Sequence, residues 1–251
     1  MSRLVENLKR SAESAVPAMG FRAASAADKV PKLLLVVGLT RPDVSTAREL
    51  VESGADALLV HATDSKALAE VAQAAGKAPC GVVLKETSNA QLSALKKSGC
   101  DFVVFSPGSS PVSWLQEEGM GKVLRVPSSA DMASLRGLDR LPIDVVLVDQ
   151  GDEQEFISVQ FLMACYFLRD ALRKPLLAAV PTRVSTGDVR ALWEAGVDGL
   201  VVEALGDKVR ELRQAADGLP VRAGRRGVKE VPVLPRLEVA ALSEAEEEEE
   251  Q

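Results

Sequence analysis

Residues 33–62 read LLLVVGLTRPDVSTARELVESGADALLVHA, and residues 175–204 read PLLAAVPTRVSTGDVRALWEAGVDGLVVEA. Set against each other without a gap, 12 of the 30 positions are identical, among them Thr40/Thr182, Arg41/Arg183, Gly54/Gly196 and Asp56/Asp198. Self-similarity of this kind marks a repeated supersecondary unit. Each copy opens on an apolar run and passes through a polar loop into a stretch of helical period. It then turns on glycine and aspartate and closes on a second apolar run. In the first copy Val44, Ala47, Leu50 and Val51 share one helical face. Gly54 follows, where a helix C-terminal glycine belongs. The unit is strand–helix–strand, and strands joined by a helical crossover run parallel.

The same unit recurs between the two copies. Residues 80–107 match it at Leu84, Leu95, Ser98, Gly99 and Asp101. A weaker copy carries Asp144 in the aspartate position and Pro142 in place of the glycine. The spacing predicts strands at 33–38, 57–61, 81–84, 102–105, 122–126 and 145–148, and then the two strands of the last copy. Helices are expected at 44–53, 65–75, 90–97, 111–118, 130–137 and 153–172, then in the last copy, and finally at 207–216. Eight strands alternating with eight helices imply an α/β fold, a (β/α)8 (TIM) barrel with its active site at the C-terminal strand ends. A doubly wound open sheet is the alternative, and the fourfold recurrence of one unit favours the barrel. Residues 1–31 are expected to form an N-terminal extension, with Leu4, Leu8 and Ala12 on one face of a helix over 3–15. Residues 32–218 form the barrel, and 219–251 a C-terminal extension and tail. The end, SEAEEEEEQ, is a like-charge run expected to be disordered.

The chain has 251 residues, 47% apolar and 26% charged, which suits one large domain. Its net charge of −6 argues against a nucleic-acid partner. No apolar run approaches the ~18 residues that span a bilayer, and the N-terminus MSRLVENLKRSAES lacks an apolar signal core. A cytoplasmic location and no membrane partner are the expectations. Cys80, Cys100 and Cys165 lack metal-ligand spacing and read as buried free thiols. No motif specifies a metal or a cofactor. The segment 156–168 is apolar nearly all round and holds four of the nine aromatics, whereas an outer barrel helix needs one apolar face. Its surplus face is expected to be covered by the N-terminal segment or, in a homodimer, by a second copy around Phe161 and Tyr166.

Counting along the even strands from Asp56, Asp101, Asp144 and Asp198 locates the mouth. One and three positions on, the residues are apolar or glycine, as inward layers should be. Five positions on come His61, Ser106, Asp149 and Glu203, which the same alternation points into the mouth. The odd strands supply Thr40, Lys85, Ser128 and Thr182 at their exits, followed by Arg41, Glu86, Ser129 and Arg183. His61 is the only histidine. A lysine such as Lys85, crowded among strand ends, can have a depressed pKa. Asp149 and Glu203 flank the seventh strand about 10 Å apart, a separation that allows a shared divalent cation or water, or two independent carboxylates. Lys85, His61, Asp149 and Glu203 are the catalytic candidates. Arg41, Arg183, Thr40, Thr182, Ser106 and Glu86 are the substrate-binding candidates.

The last copy, through Gly196-Val197-Asp198-Gly199-Leu200-Val201-Val202, resembles the final βαβ unit of the phosphate-binding (β/α)8 barrels. These include the indole-glycerol-phosphate and tryptophan synthases, the thiamine-phosphate synthases and the flavin-linked nitronate monooxygenases. That family has a glycine pair after strand seven and a glycine after strand eight, which let phosphate sit on bare backbone N–H groups. This chain has Val180-Pro181 and Glu203 there, so the resemblance implies a degenerate phosphate motif. Arg41 and Arg183 retain a fork that can bind a carboxylate or phosphate, with a surface salt bridge as the alternative. The residues point to a barrel that binds a small anionic or carbonyl metabolite and acts as a lyase or isomerase through acid–base residues. A non-catalytic scaffold or ligand-binding subunit is the alternative, since the fold alone does not decide function.

Overall fold

The computed structural model describes residues 2–14, 31–61, 64–84, 89–131, 135, 137–151, 154–220 and 222. Eight strands close into a barrel in chain order, each parallel to its neighbours. They are β1 (Leu34–Leu39), β2 (Ala57–Val60), β3 (Cys80–Val83), β4 (Phe102–Phe105), β5 (Gly121–Pro127), β6 (Val145–Asp149), β7 (Leu176–Val180) and β8 (Gly199–Val202). The α-helices among the described residues are α1 (Arg3–Ser14), α2 (Val44–Glu52), α3 (Ser65–Ala75), α4 (Asn89–Lys97), α5 (Val159–Ala171), α6 (Thr186–Glu194) and α7 (Gly206–Asp217).

Strict alternation with eight outer helices is not what the chain adopts. The β4–β5 link carries only two 3₁₀ turns, Pro107–Ser109 and Val112–Gln116. Pro107, Gly108, Pro111 and Gly119 crowd the link with residues that lack the N–H donor or weaken helices, leaving only residues 112–118 free of both. Of the helix expected over 130–137, Leu135 is helical, residues 132–134 and 136 lie outside the described residues, and a 3₁₀ turn follows at Leu138–Arg140. The helix expected over 153–172 starts at Val159, where the Ser158 hydroxyl caps it by accepting from the Phe161 N–H at 3.1 Å.

Alternation along the strands divides the core in two. Leu35, Val37, Leu58 and Val60 face the outer helices. Leu34, Val36, Ala57, Leu59, Phe102, Val104, Val123, Val145, Leu147 and Leu177 fill the interior. Leu4, Val5 and Leu8 of α1 belong to that interior cluster and are buried to 0%, 3% and 0% exposure. The N-terminal helix therefore plugs the barrel and does not cover α5. Its first turn is capped from the barrel: Asp101 accepts from the Arg3 N–H at 2.8 Å, the Leu4 N–H at 3.0 Å and the Ser2 hydroxyl at 2.7 Å.

The other recurrent aspartates close turns in the same region. Asp56 accepts from the Leu35 N–H, Asp144 from the Lys122 N–H and Asp198 from the Leu176 N–H. Two of these turns share an arginine clamp. Gly54 (φ +106°) and Gly196 (φ +95°) hold a backbone conformation that side chains disfavour. Arg213 passes over the first and pairs with Asp56 at 2.9 Å; Arg169 passes over the second and pairs with Asp198 at 2.9 Å. Arg222, in the C-terminal extension, joins Asp198 at 3.1 Å and stacks 3.7 Å over the Trp193 ring.

Backbone hydrogen bonds set the true correspondence of the odd strands. The N–H groups of Asp56, Asp101, Asp144 and Asp198 donate to the carbonyls of Leu35, Cys80, Lys122 and Leu176. Leu176, not Leu177, is thus the counterpart of Leu35, and the ungapped alignment slips by one residue in β7. Five positions on from these carbonyls stand Thr40, Lys85, Pro127 and Pro181. Ser128 and Thr182 are each one residue beyond the ring to which the sequence assigned them.

Candidate active site at the barrel mouth

A cavity of about 840 Å³ opens at the C-terminal strand ends. Its floor is Leu59, Val83, Val104, Leu147, Ala179 and Val201, and its polar walls include His61, Ser106, Arg125, Asp149, Arg183 and Glu203. The four residues counted from the aspartates, His61, Ser106, Asp149 and Glu203, all line it. Two polar pairs dominate. On one wall His61 Nε2 stands 3.3 Å from Glu203 Oε1, with side chains 30% and 55% exposed. On the other, Asp149 Oδ2 accepts from Arg125 Nε at 2.8 Å and Nη2 at 2.5 Å, with the arginine 33% and the aspartate 14% exposed. Asp149 Oδ1 also accepts from the Gly151 N–H at 3.0 Å.

The first pair spans β1, which lies between β2 and β8. Gly38 makes that possible: a Cβ there would stand 2.9 Å from Glu203 Cγ, closer than side chains tolerate. Thr40 adds its hydroxyl, donating to Glu203 Oε2 at 3.4 Å, and Thr182 donates to the Glu203 carbonyl at 2.8 Å.

The structure spreads the other sequence candidates. Arg183 reaches the cavity rim, where it pairs with Glu155 at 2.8 Å, both side chains largely exposed. Arg41, its partner in the repeat, is exposed and does not line the cavity. Lys85 and Glu86 lie outside the described residues. Asp149 pairs with Arg125, and Glu203 lies beside His61. Among the described residues no three His, Cys, Asp or Glu side chains cluster as metal ligands. The three cysteines are buried, and burial pushes their thiols up to about 12, so none is a ready nucleophile.

Arg125 was not a sequence candidate. The signal was present: GKVLRVP places Arg125 two residues from Val123, and a charge within a barrel strand must be paired or face water. Read on the face of Val123, it points inward.

No family model matches the chain, and no curated protein matches it. Solved structures do. A tryptophan synthase from Mycobacterium tuberculosis aligns at 15% identity and TM-score 0.62, covering 88% of this chain and 100% of that one. A 3-dehydroquinate dehydratase from Geobacillus kaustophilus aligns at 15% identity and TM-score 0.58, covering 74% and 91%. The YdjI aldolase from Escherichia coli aligns at 10% identity and TM-score 0.56, covering 86% and 93%. At such identities the likeness is one of fold, and the fold is that of TIM-barrel enzymes. Among the described residues no helix is long and apolar enough to cross a membrane.

Proposed function

We propose that the mouth binds a small anionic or carbonyl metabolite and performs acid–base chemistry of the lyase or isomerase kind. His61 and Glu203 would exchange the proton. The observation that carries this is their 3.3 Å contact across Gly38, on the wall of an open cavity. A carboxylate beside one imidazole nitrogen orients the ring and stabilises its protonated form. With Nε2 facing Glu203, Nδ1 is the nitrogen that would meet the substrate. Lys85 stays a sequence candidate for the same work. The neighbours named a dehydratase and an aldolase use this fold, which supports the reaction class by analogy alone.

In this reading the barrel descends from the phosphate-binding type with its phosphate motif lost. Pro181 lacks the donor that a glycine would offer, Glu203 brings negative charge, and Glu49 sets its carboxylate against Gly206 in the first turn of α7.

The test is a thermal-shift screen of two- to six-carbon oxo acids, hydroxy acids and phosphate esters, with hits followed by proton NMR in heavy water. A ligand is expected to raise the melting temperature and to exchange a C–H proton with solvent. Glu203→Gln and His61→Asn should abolish the exchange and retain the shift. Binding with no exchange in the wild type would establish a ligand-binding subunit instead. Hits unaffected in both respects by either change would place the site elsewhere.

A further inference from the structure

We infer that the acid group this mouth takes is a carboxylate, held by Arg125 and Ser106 on the wall opposite the His61–Glu203 pair, and that the substrate is a small oxo monocarboxylic acid. The inference rests on the proposed function of the mouth and adds the ligand's class and orientation.

Position comes first. In a ring of eight strands, β5 stands opposite β1, so Arg125 faces the wall where Glu203 crosses Gly38 to reach His61. Phe105 of β4 pairs in register with Leu124 of β5. Ser106 is therefore level with Arg125 on the adjacent strand, and both line the cavity. A guanidinium and a hydroxyl side by side form a donor pair matched to the two oxygens of a carboxylate.

Rigidity comes second. Asp149 accepts from Nε and Nη2 of Arg125 through one oxygen and from the Gly151 N–H through the other. The aspartate is held by backbone and in turn holds the guanidinium plane. It acts as a positioning residue, and a guanidinium held in one plane offers an acid group a fixed direction of approach.

Charge decides between carboxylate and phosphate. Among the described residues, the ionised side chains lining the cavity are Arg125, Arg183, Asp149, Glu155 and Glu203, two positive against three negative, with His61 able to even the balance when protonated. A phosphate dianion held at Arg125 would lie against Asp149, in a described lining of no net positive charge. A monoanion meets half that repulsion. Since the apolar floor of Val104, Leu147 and Val201 offers little else to grip, the carboxylate would set the orientation. It would direct the carbonyl end of the molecule at His61.

The full chain is titrated by calorimetry with pyruvate, 2-oxobutyrate and 2-oxohexanoate, and separately with inorganic phosphate. At least one oxo acid is expected to saturate a single site, with affinity reduced roughly tenfold or more in Arg125→Lys and several-fold in Ser106→Ala. Phosphate should neither bind nor compete. If Arg125→Lys fails to fold, Ser106→Ala decides. Oxo-acid binding that survives both changes overturns the inference, as does phosphate binding that excludes the oxo acids; in both cases the mouth remains a ligand site. A mouth that takes no member of the oxo-acid, hydroxy-acid or phosphate-ester panel overturns the proposed function itself, and the inference with it.

Discussion

Asp101→Ala should loosen the helix that plugs the barrel. The carboxylate accepts from two backbone N–H groups, at 2.8 and 3.0 Å, and from the Ser2 hydroxyl at 2.7 Å. A hydrogen bond to a charged acceptor is worth about 1.5–3 kcal/mol, and loss of a helix cap costs about 0.5–2 kcal/mol. These are two views of the same bonds and do not add in full. The Arg3 ion pair at 3.7 Å, with the arginine half exposed, adds little after solvent screening. A loss of roughly 2–4 kcal/mol follows. Leu4, Val5 and Leu8 each retain about 1.5–3 kcal/mol of burial, so the helix is expected to stay docked and the barrel to unfold earlier. Urea unfolding followed by fluorescence of Trp114 and Trp193, both buried, should show a midpoint lower by about 1 M. Asp101→Asn, which keeps an acceptor, should recover part of the loss. A midpoint unchanged in Asp101→Ala would refute the capping role, and an unchanged midpoint in Leu8→Ala would refute the plug.

Asp56 tests the turns by pH. Burial pushes its carboxyl above the ordinary range, against the pull of Arg213 and the Leu35 N–H. A folded-state pKa raised in this way gives stability that is full below the unfolded value of about 3.9 and is lost as pH rises through the folded value. Asp56→Asn should therefore gain on the wild type in urea midpoint as pH rises from the acid range towards neutrality; a difference that is flat, or that falls, would be contrary. On α5, Phe161 is fully buried, and the exposed apolar residues are Val159, Met163 and Tyr166, with Phe156 exposed just before the helix. We propose that this row seats a second copy, as apolar patches on barrels require cover. Sedimentation at tens of micromolar should give a dimer for the wild type and a monomer for Met163→Glu, and a monomeric wild type would dismiss the contact.

The closed barrel was legible because the unit recurs with its glycine and aspartate in place. Those residues have a local cause that survives in sequence: a positive-φ turn at Gly54 and Gly196, and a carboxylate that closes the turn at Asp56 and Asp198. The seat of α1 was not legible. Its apolar face, Leu4, Val5 and Leu8, is satisfied by any apolar surface, and the polar contacts that seat its first turn join Ser2, Arg3 and Leu4 to Asp101, 97 to 99 residues away. Nothing in amphipathic spacing distinguishes the barrel floor from the flank of α5. α5 begins at Val159, where the Ser158 hydroxyl supplies the cap.

At the mouth, the even strands could be read correctly because each count began at an aspartate whose position is pinned by hydrogen bonds. The odd strands offered no such origin. The segment from Lys122 to Asp144, like that from Leu176 to Asp198, is one residue longer than the segment from Leu35 to Asp56, and a slip of one residue exchanges the faces of a strand. Corrected for that slip, the level of Gly38 contains Val83, Arg125 and Ala179. Three of these four are small or apolar, and one is a cation. Such a ring cannot hold a ligand symmetrically, whatever the symmetry of the repeat. The only full charge at this depth on the odd strands is Arg125, and the residue facing it, Gly38, has no side chain, so Glu203 and His61 occupy the space above. The two odd-strand residues that differ most, an arginine and a glycine on opposite strands, give the cavity two unlike sides, and on that asymmetry the proposed division into a binding wall and a reacting wall rests.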